Sequence, residues 1–319
     1  MLYAHFLRLL VYLRRFWWLP AIILVCGVPA TMFPPEVTYF RWAAKYAVQI
    51  MLLYFALSLV FLVLRQHKLM FVGFICCATL CLYLRRSMGS DDVSRIAFAA
   101  ETKEVKLSIA HFNTSATDGD IEKNIKAVLR TKPDIISIQE LTPEWDEALR
   151  TLLAPRYPYF RSFRQIDYSG LALYSRYPFA RIDTFQIDHV PNIVSSIRID
   201  SMHPDVFLAA THTPPPTSGY TIIRQHLERI AQQISPINEP MLTFGDYNVV
   251  PWSSEIQAFR SKTGMSDGRR YFAPNSPTPT DFIFFSRHFN CLSFDPMTVD
   301  GEVIGCTGRY QFKSDFRVQ

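Results

Sequence analysis

The first 86 residues of this 319-residue chain hold a single acid, Glu36, against nine basic residues: Arg8, Arg14, Arg15, Arg41, Lys45, Arg65, Lys68, Arg85 and Arg86. Residues 87–319 reverse the balance, so the two parts carry +8 and −3, and the overall +5 originates in the N-terminal part. The larger part therefore lacks the cationic excess that draws proteins to long nucleic acid, which is disfavoured as a partner. No internal repeat is visible, and the six cysteines show no metal-ligand spacing. Cys26, Cys76, Cys77 and Cys81 lie in apolar runs, where cysteine acts as a small hydrophobe. Cys291 and Cys306 remain, either as a disulfide in an oxidising compartment or as two unrelated buried thiols.

Three apolar segments fill the N-terminal part, over residues 16–33, 46–64 and 69–84. Their lengths bracket the roughly 17–25 residues that cross a bilayer core, the third being marginal. Trp17 and Trp18 beside Arg14 and Arg15 suit an interface, and Pro20 and Pro29 are tolerable in such a helix. A cleaved signal peptide has one short apolar region, so three argue for an anchor, with residues 1–15 as a basic lead-in on the surface. The competing reading is a buried helical hairpin of a soluble domain. Arg8, Arg14, Arg15, Arg65 and Lys68 count for the cytoplasmic side, and Arg41, Lys45, Arg85 and Arg86 against. The expectation is an integral protein of the cytoplasmic membrane, residues 1–86 being the anchor, with its C-terminal domain periplasmic or extracellular.

Residues 87–104 read as a polar linker and 105–319 as one domain. Strands are expected over 106–112, 134–139, 171–174, 180–187, 193–199, 206–210, 241–244, 281–285 and 292–299. Helical stripes run over 121–129, from Pro143 behind a Thr142 cap, over 220–234 and over 254–259. Strands and helices scattered in this way fit a layered α/β sandwich.

Polar residues recur where these buried runs end: Asn113, Gln139-Glu140, His212, then Asp246 and Asn248 in Gly245-Asp246-Tyr247-Asn248, with Asp281 opening a strand and Asp315 near the terminus. Gly245 is expected to let the chain turn, which displays Asp246 and Asn248 at a rigid strand end. An ionised Asp246 takes a proton from water, and the amide of Asn248 hydrogen-bonds a developing oxyanion. Glu140, Asn113 and Asp315 offer the oxygen ligands that a hard cation such as Mg²⁺ (or Mn²⁺) takes. Each has a plain alternative: a β-turn for Gly245 to Asn248, a helix-start acid for Glu140, a loop histidine for His212.

Together with Phe112-Asn113, Ser137-Ile138-Gln139-Glu140, Ser169-Gly170-Leu171 through Tyr177-Pro178, Thr211-His212, Pro251-Trp252-Ser253 and Thr280-Asp281-Phe282-Ile283, that stretch resembles the endonuclease/exonuclease/phosphatase superfamily, which shares its fold with pancreatic deoxyribonuclease. The pieces fall in the family's order over nearly all of 105–319. The resemblance implies a four-layer α/β/β/α sandwich and metal-dependent hydrolysis of a phosphate ester. It implies metal ligation by Asn113 and Glu140, a nucleophilic water handled by Asp246, and phosphoryl oxygens met by His212 and Asn248. The anchor ahead of such a domain resembles bacterial membrane-bound members, including some linked to glycopeptide resistance.

One departure stands out. The family closes on Ser-Asp-His, whereas this chain reads Ser314-Asp315-Phe316. A phenyl ring neither donates a hydrogen bond nor carries a proton, so Asp281 loses the histidine it would orient. His288 is a candidate substitute, the segment between Asp267 and Asp281 looks compressed, and the last strand looks cut short. Three readings follow: a membrane-anchored phosphoesterase acting on a phosphate ester, a lipid-linked one being natural beside the bilayer; a tethered nuclease; and a catalytically degenerate binding or scaffold protein.

Overall fold

A computed structural model describes residues 15–33, 43–87, 100–117, 119–269 and 280–314, and the chain divides into two compact units. The N-terminal unit holds three apolar helices, α1 (Trp18–Met32), α2 (Ala47–Val63) and α3 (His67–Ser87). The segment expected as marginal is the longest: α3 has 21 residues and is the one described helix long and apolar enough to cross a membrane. It outruns its apolar stretch through Lys68 in its first turn and Arg85 and Arg86 in its last; the Lys68 ammonium lies 4.7 Å from the centre of the Trp17 ring. α1 and α2 are apolar but shorter, at 15 and 17 residues. Leu24, Val28, Tyr54, Cys76 and Leu80 pack together, and the Tyr54 hydroxyl donates to the Leu24 carbonyl at 2.9 Å. Large apolar side chains nonetheless remain exposed on all three helices: Ile23 at 72%, Val63 at 81% and Leu82 at 65%. The proposed surface lead-in, save Arg15, and linker residues 88–99 lie outside the described residues.

The second unit is built on two six-stranded sheets. In the first, β1 (Lys106–Asn113), β2 (Ile135–Gln139), β3 (Tyr159–Phe163), β4 (Leu171–Ser175), β11 (Phe289–Val299) and β12 (Glu302–Phe312) lie in the order β11-β12-β1-β2-β4-β3. The second holds β5 (Phe179–Ile187), β6 (Val190–Ile197), β7 (Val206–Ala210), β8 (Met241–Asp246), β9 (Ser266–Asp267) and β10 (Asp281–Phe285), in the order β5-β6-β7-β8-β10-β9. Inward side chains of both sheets, among them Leu107, Ile109, Ile135, Leu208, Leu242, Phe244 and Ile283, form one buried core. The opposite face of the first sheet buries Ala110, Phe112, Ile136 and Ile138 under α4 (Ile121–Arg130) and α5 (Pro143–Leu153). The opposite face of the second buries Ala209, Met241, Phe282 and Phe284 under α6 (Tyr220–Ile234) and α7 (Ser254–Thr263). Helix, sheet, sheet and helix follow from period-two strands buried on both faces and helices striped on one.

The expected helices form, with Asp120, Thr142 and Ser253 capping α4, α5 and α7 through their side chains. Three strands, β3, β9 and β12, were not expected. β12 runs eleven residues, pairs with both β1 and β11, and buries Tyr310 and Phe312; the strand expected to be cut short, after Ser314, lies outside the described residues. Cys291 and Cys306 are free buried thiols; Cys291 faces Tyr310 and Cys306 faces Pro296, so the strand register keeps them apart.

Candidate active site

Each sheet contains one parallel pair, β1–β2 in the first and β7–β8 in the second. A parallel pair needs a crossover, here α4 and α6, and places two strand carboxyl ends side by side. Gln139 brings the two pairs to a common rim. Its buried amide donates from Nε2 to the Thr211 carbonyl at 2.5 Å, just past β7. It also accepts at Oε1 from the Asp246 N–H at 2.7 Å, at the end of β8. Gly245 lies inside β8 rather than in a turn. It is glycine because a Cβ there would sit 1.9 Å from the Thr211 carbonyl oxygen, so the close approach of strand ends, not a bend, requires it.

Around that rim the sequence-distant residues assemble. Asn113 donates from Nδ2 to Glu140 Oε1 at 2.6 Å, while its Oδ1 accepts from the Ser115 N–H and hydroxyl. Glu140 has φ +56°, a conformation that side chains seldom adopt, and Thr114 donates to its carbonyl. Asp246 accepts from the Asn248 N–H at 2.9 Å; Asn248, at φ +54°, donates to the Thr213 carbonyl at 3.1 Å. Between them Tyr247 turns to the opposite face, where it stacks on Phe282 and Phe284. Asp281 stands directly across from Asp246 in the antiparallel β8–β10 ladder.

Burial and the facing Asp281 carboxylate push the Asp246 carboxyl up to about 6, with the Asn248 N–H and Thr280 side chain opposing. His212 is fully buried, and enclosure together with the His111 ring pushes it down to about 4. It is neutral at pH 7. The backbone carbonyls of Asp246 and Tyr168 favour its charged form, but neither ring nitrogen reaches hydrogen-bond geometry. The Tyr168 ring lies 6.1 Å from it, centroid to centroid.

Asn113, Glu140, His212, Asp246, Asn248 and Asp281 thus gather at one rim through these contacts. Asp315 and Phe316 lie outside the described residues, as does most of the segment expected to be compressed. His288 does not join them. It follows the far end of β10, a strand about 13 Å long from Asp281 onward, and bonds Ser286 at 3.1 Å. The sequence reading missed four members. Gln139 is the strut; Tyr168 neighbours His212; Arg269 pairs with Asp267 at 3.6 Å and donates to the Asp281 carbonyl; and His111 Nε2 meets Asp281 Oδ1 at 3.2 Å. A polar residue at an inward position of β1, where Leu107 and Ile109 take the other inward places, was the available signal.

Among solved structures, the chain is similar to an endonuclease/exonuclease/phosphatase from Bacteroides vulgatus, at 17% identity and TM-score 0.55 over 66% of this chain and 100% of the other. The human Nocturnin catalytic domain with bound sulfate anion gives 16%, 0.53, 66% and 96% in the same order. D. rerio TDP2 complexed with single strand DNA product gives 15%, 0.53, 65% and 100%. At such identities the likeness is one of fold. No curated protein matches. The pattern of the Endonuclease/Exonuclease/phosphatase family matches residues 110–301, well over half of the chain, and the chain belongs to that family.

Proposed function

We propose that the protein is a membrane-anchored phosphoester hydrolase whose α/β unit works at the outer face of the cytoplasmic membrane. The observation that carries the reading is the assembly of Glu140, Asp246, Asn248, His212 and Asp281 from four strand ends around the Gln139 strut. Ionised Asp246 takes the proton of a water attacking phosphorus, and its raised pKa brings it near the range where a general base is effective. The Asn248 amide and the neutral His212 N–H stabilise the charge gathering on the phosphoryl oxygens.

Enzymes of the family are generally divalent-metal dependent. The donor set here fits a hard cation: a carboxylate, Glu140, held at the rim by Asn113. Among the described residues no group of three or more His, Cys, Asp or Glu forms a metal cage. Mg²⁺ keeps several waters and takes one or two carboxylates. Glu140 would hold it, with Asn113 beside it; the chain enters Ser314 from the opposite end of β1, where Gln311 pairs with Lys106, so Asp315 is not counted among the donors. When bound, the cation neutralises phosphoryl charge.

The exposed apolar faces of α1, α2 and α3 support an anchor, and an anchor concentrates the site on lipid-linked phosphates. Purified full-length protein with Mg²⁺ or Mn²⁺ is expected to release phosphate or a phosphoryl head group from such lipids and to leave plasmid DNA intact. Plasmid nicking would favour the tethered nuclease. Metal binding without turnover, unchanged by Phe316→His, would favour the scaffold. For the orientation, protease added to intact spheroplasts should digest the C-terminal unit; protection until lysis would place it in the cytoplasm.

A further inference from the structure

In β1 the side chains of Leu107 and Ile109 enter the core between the sheets, and His111 takes the next inward position. An imidazole there is expensive to bury unless both nitrogens find partners. Both do: Nδ1 lies 3.2 Å from the hydroxyl of Ser137, its register partner on β2, and Nε2 lies 3.2 Å from Asp281 Oδ1 on the other sheet. The carboxylate only accepts, so Nε2–H donates to Asp281, while the Ser137 hydroxyl can either donate to Nδ1 or accept from it. The His111 side chain is fully enclosed, whereas that of Asp281 remains 20% exposed.

We propose that His111 is the positioning residue for Asp281, holding one carboxylate oxygen from inside the core so that Asp281 presents the other to the reacting groups. This reverses the arrangement the resemblance implies, in which Asp281 orients a histidine. The Ser137–His111–Asp281 chain crosses from one sheet to the other, so it fixes Asp281 independently of the segment after Ser314.

The inference rests on the hydrolase reading, and its test separates the two. In the full-length protein, His111→Leu is expected to lower kcat about a hundredfold with KM changed less than about threefold. His111→Gln, which keeps a donor, should restore most of kcat, and His111→Leu added to Asp281→Asn should cost nothing further. If wild-type protein turns over and His111→Leu matches it, or if Gln fails to rescue a folded variant, the inference is overturned. ¹⁵N-histidine NMR of the wild-type chain supplies a readout besides turnover. A ring protonated at Nε2, perturbed by Asp281→Asn, supports the inference even if no substrate is hydrolysed; a ring without a proton at Nε2 overturns it. Absence of turnover with that NMR pattern intact would count against the hydrolase reading alone.

Discussion

Asp246→Asn is expected to act in opposite directions on activity and on stability. Turnover should fall by about 10²–10⁴-fold, the usual contribution of a positioned general base, because an amide cannot take a proton from water. Metal-free protein should become more stable at neutral pH. The folded-state pKa of Asp246 is raised to about 6, above the ordinary carboxylate value near 3.9. The native state therefore holds more proton than the unfolded chain between those values, and stability falls as pH rises from about 4 to about 6. The loss approaches about 3 kcal/mol by order of magnitude. Asn keeps an acceptor for the Asn248 N–H and carries no charge opposite Asp281. The variant should thus melt higher than wild type at pH 8 in chelator, the gap closing toward pH 4. A variant that melts lower at pH 8, or whose gap does not depend on pH, would show that Asp246 is not the strained group.

Gln139→Leu should be among the most destabilising single changes in the α/β unit. The substitution keeps the side chain's approximate volume but leaves a buried carbonyl, Thr211, and a buried N–H, Asp246, without their partner. Each orphan costs about 1–3 kcal/mol, so the pair costs about 4 kcal/mol. That is a large share of the roughly 5–15 kcal/mol that holds a domain together, and corresponds to a fall in Tm of roughly 10 °C for a unit of this size. Gln139→Glu should resemble it, since a carboxylate oxygen would face the Thr211 carbonyl. Calorimetry of the variants checks both, and a Tm within 2–3 °C of wild type would mean that the sheets are joined at this rim by other contacts.

Much of the site was legible because its chemistry sits where strands stop. Asn113, Glu140, Asp246 and Asn248 interrupt apolar runs, and an interruption shows in a linear pattern. What stayed hidden depends on contacts between sheets. Gln139 looks like half of a Gln-Glu pair until Thr211 and Asp246 arrive at its amide. Gly245 reads as a turn residue, while its cause is a carbonyl from another strand. His111 looks like one polar residue in a strand until Asp281 is set against it. β12 escaped because Gly305, Gly308, Arg309 and Gln311 dilute its alternation, although it is the central partner of β1 and β11. β9 has two residues and no pattern to read.

The most direct measurement is phosphate release from a lipid-linked phosphoester by the intact protein, with Mg²⁺ and then with chelator, for wild type and Glu140→Ala. Cation-dependent release that disappears in Glu140→Ala is the result expected if these strand ends form one catalytic rim. Release that is undiminished in Glu140→Ala, or none from wild type with either cation on any phosphoester offered, would contradict it.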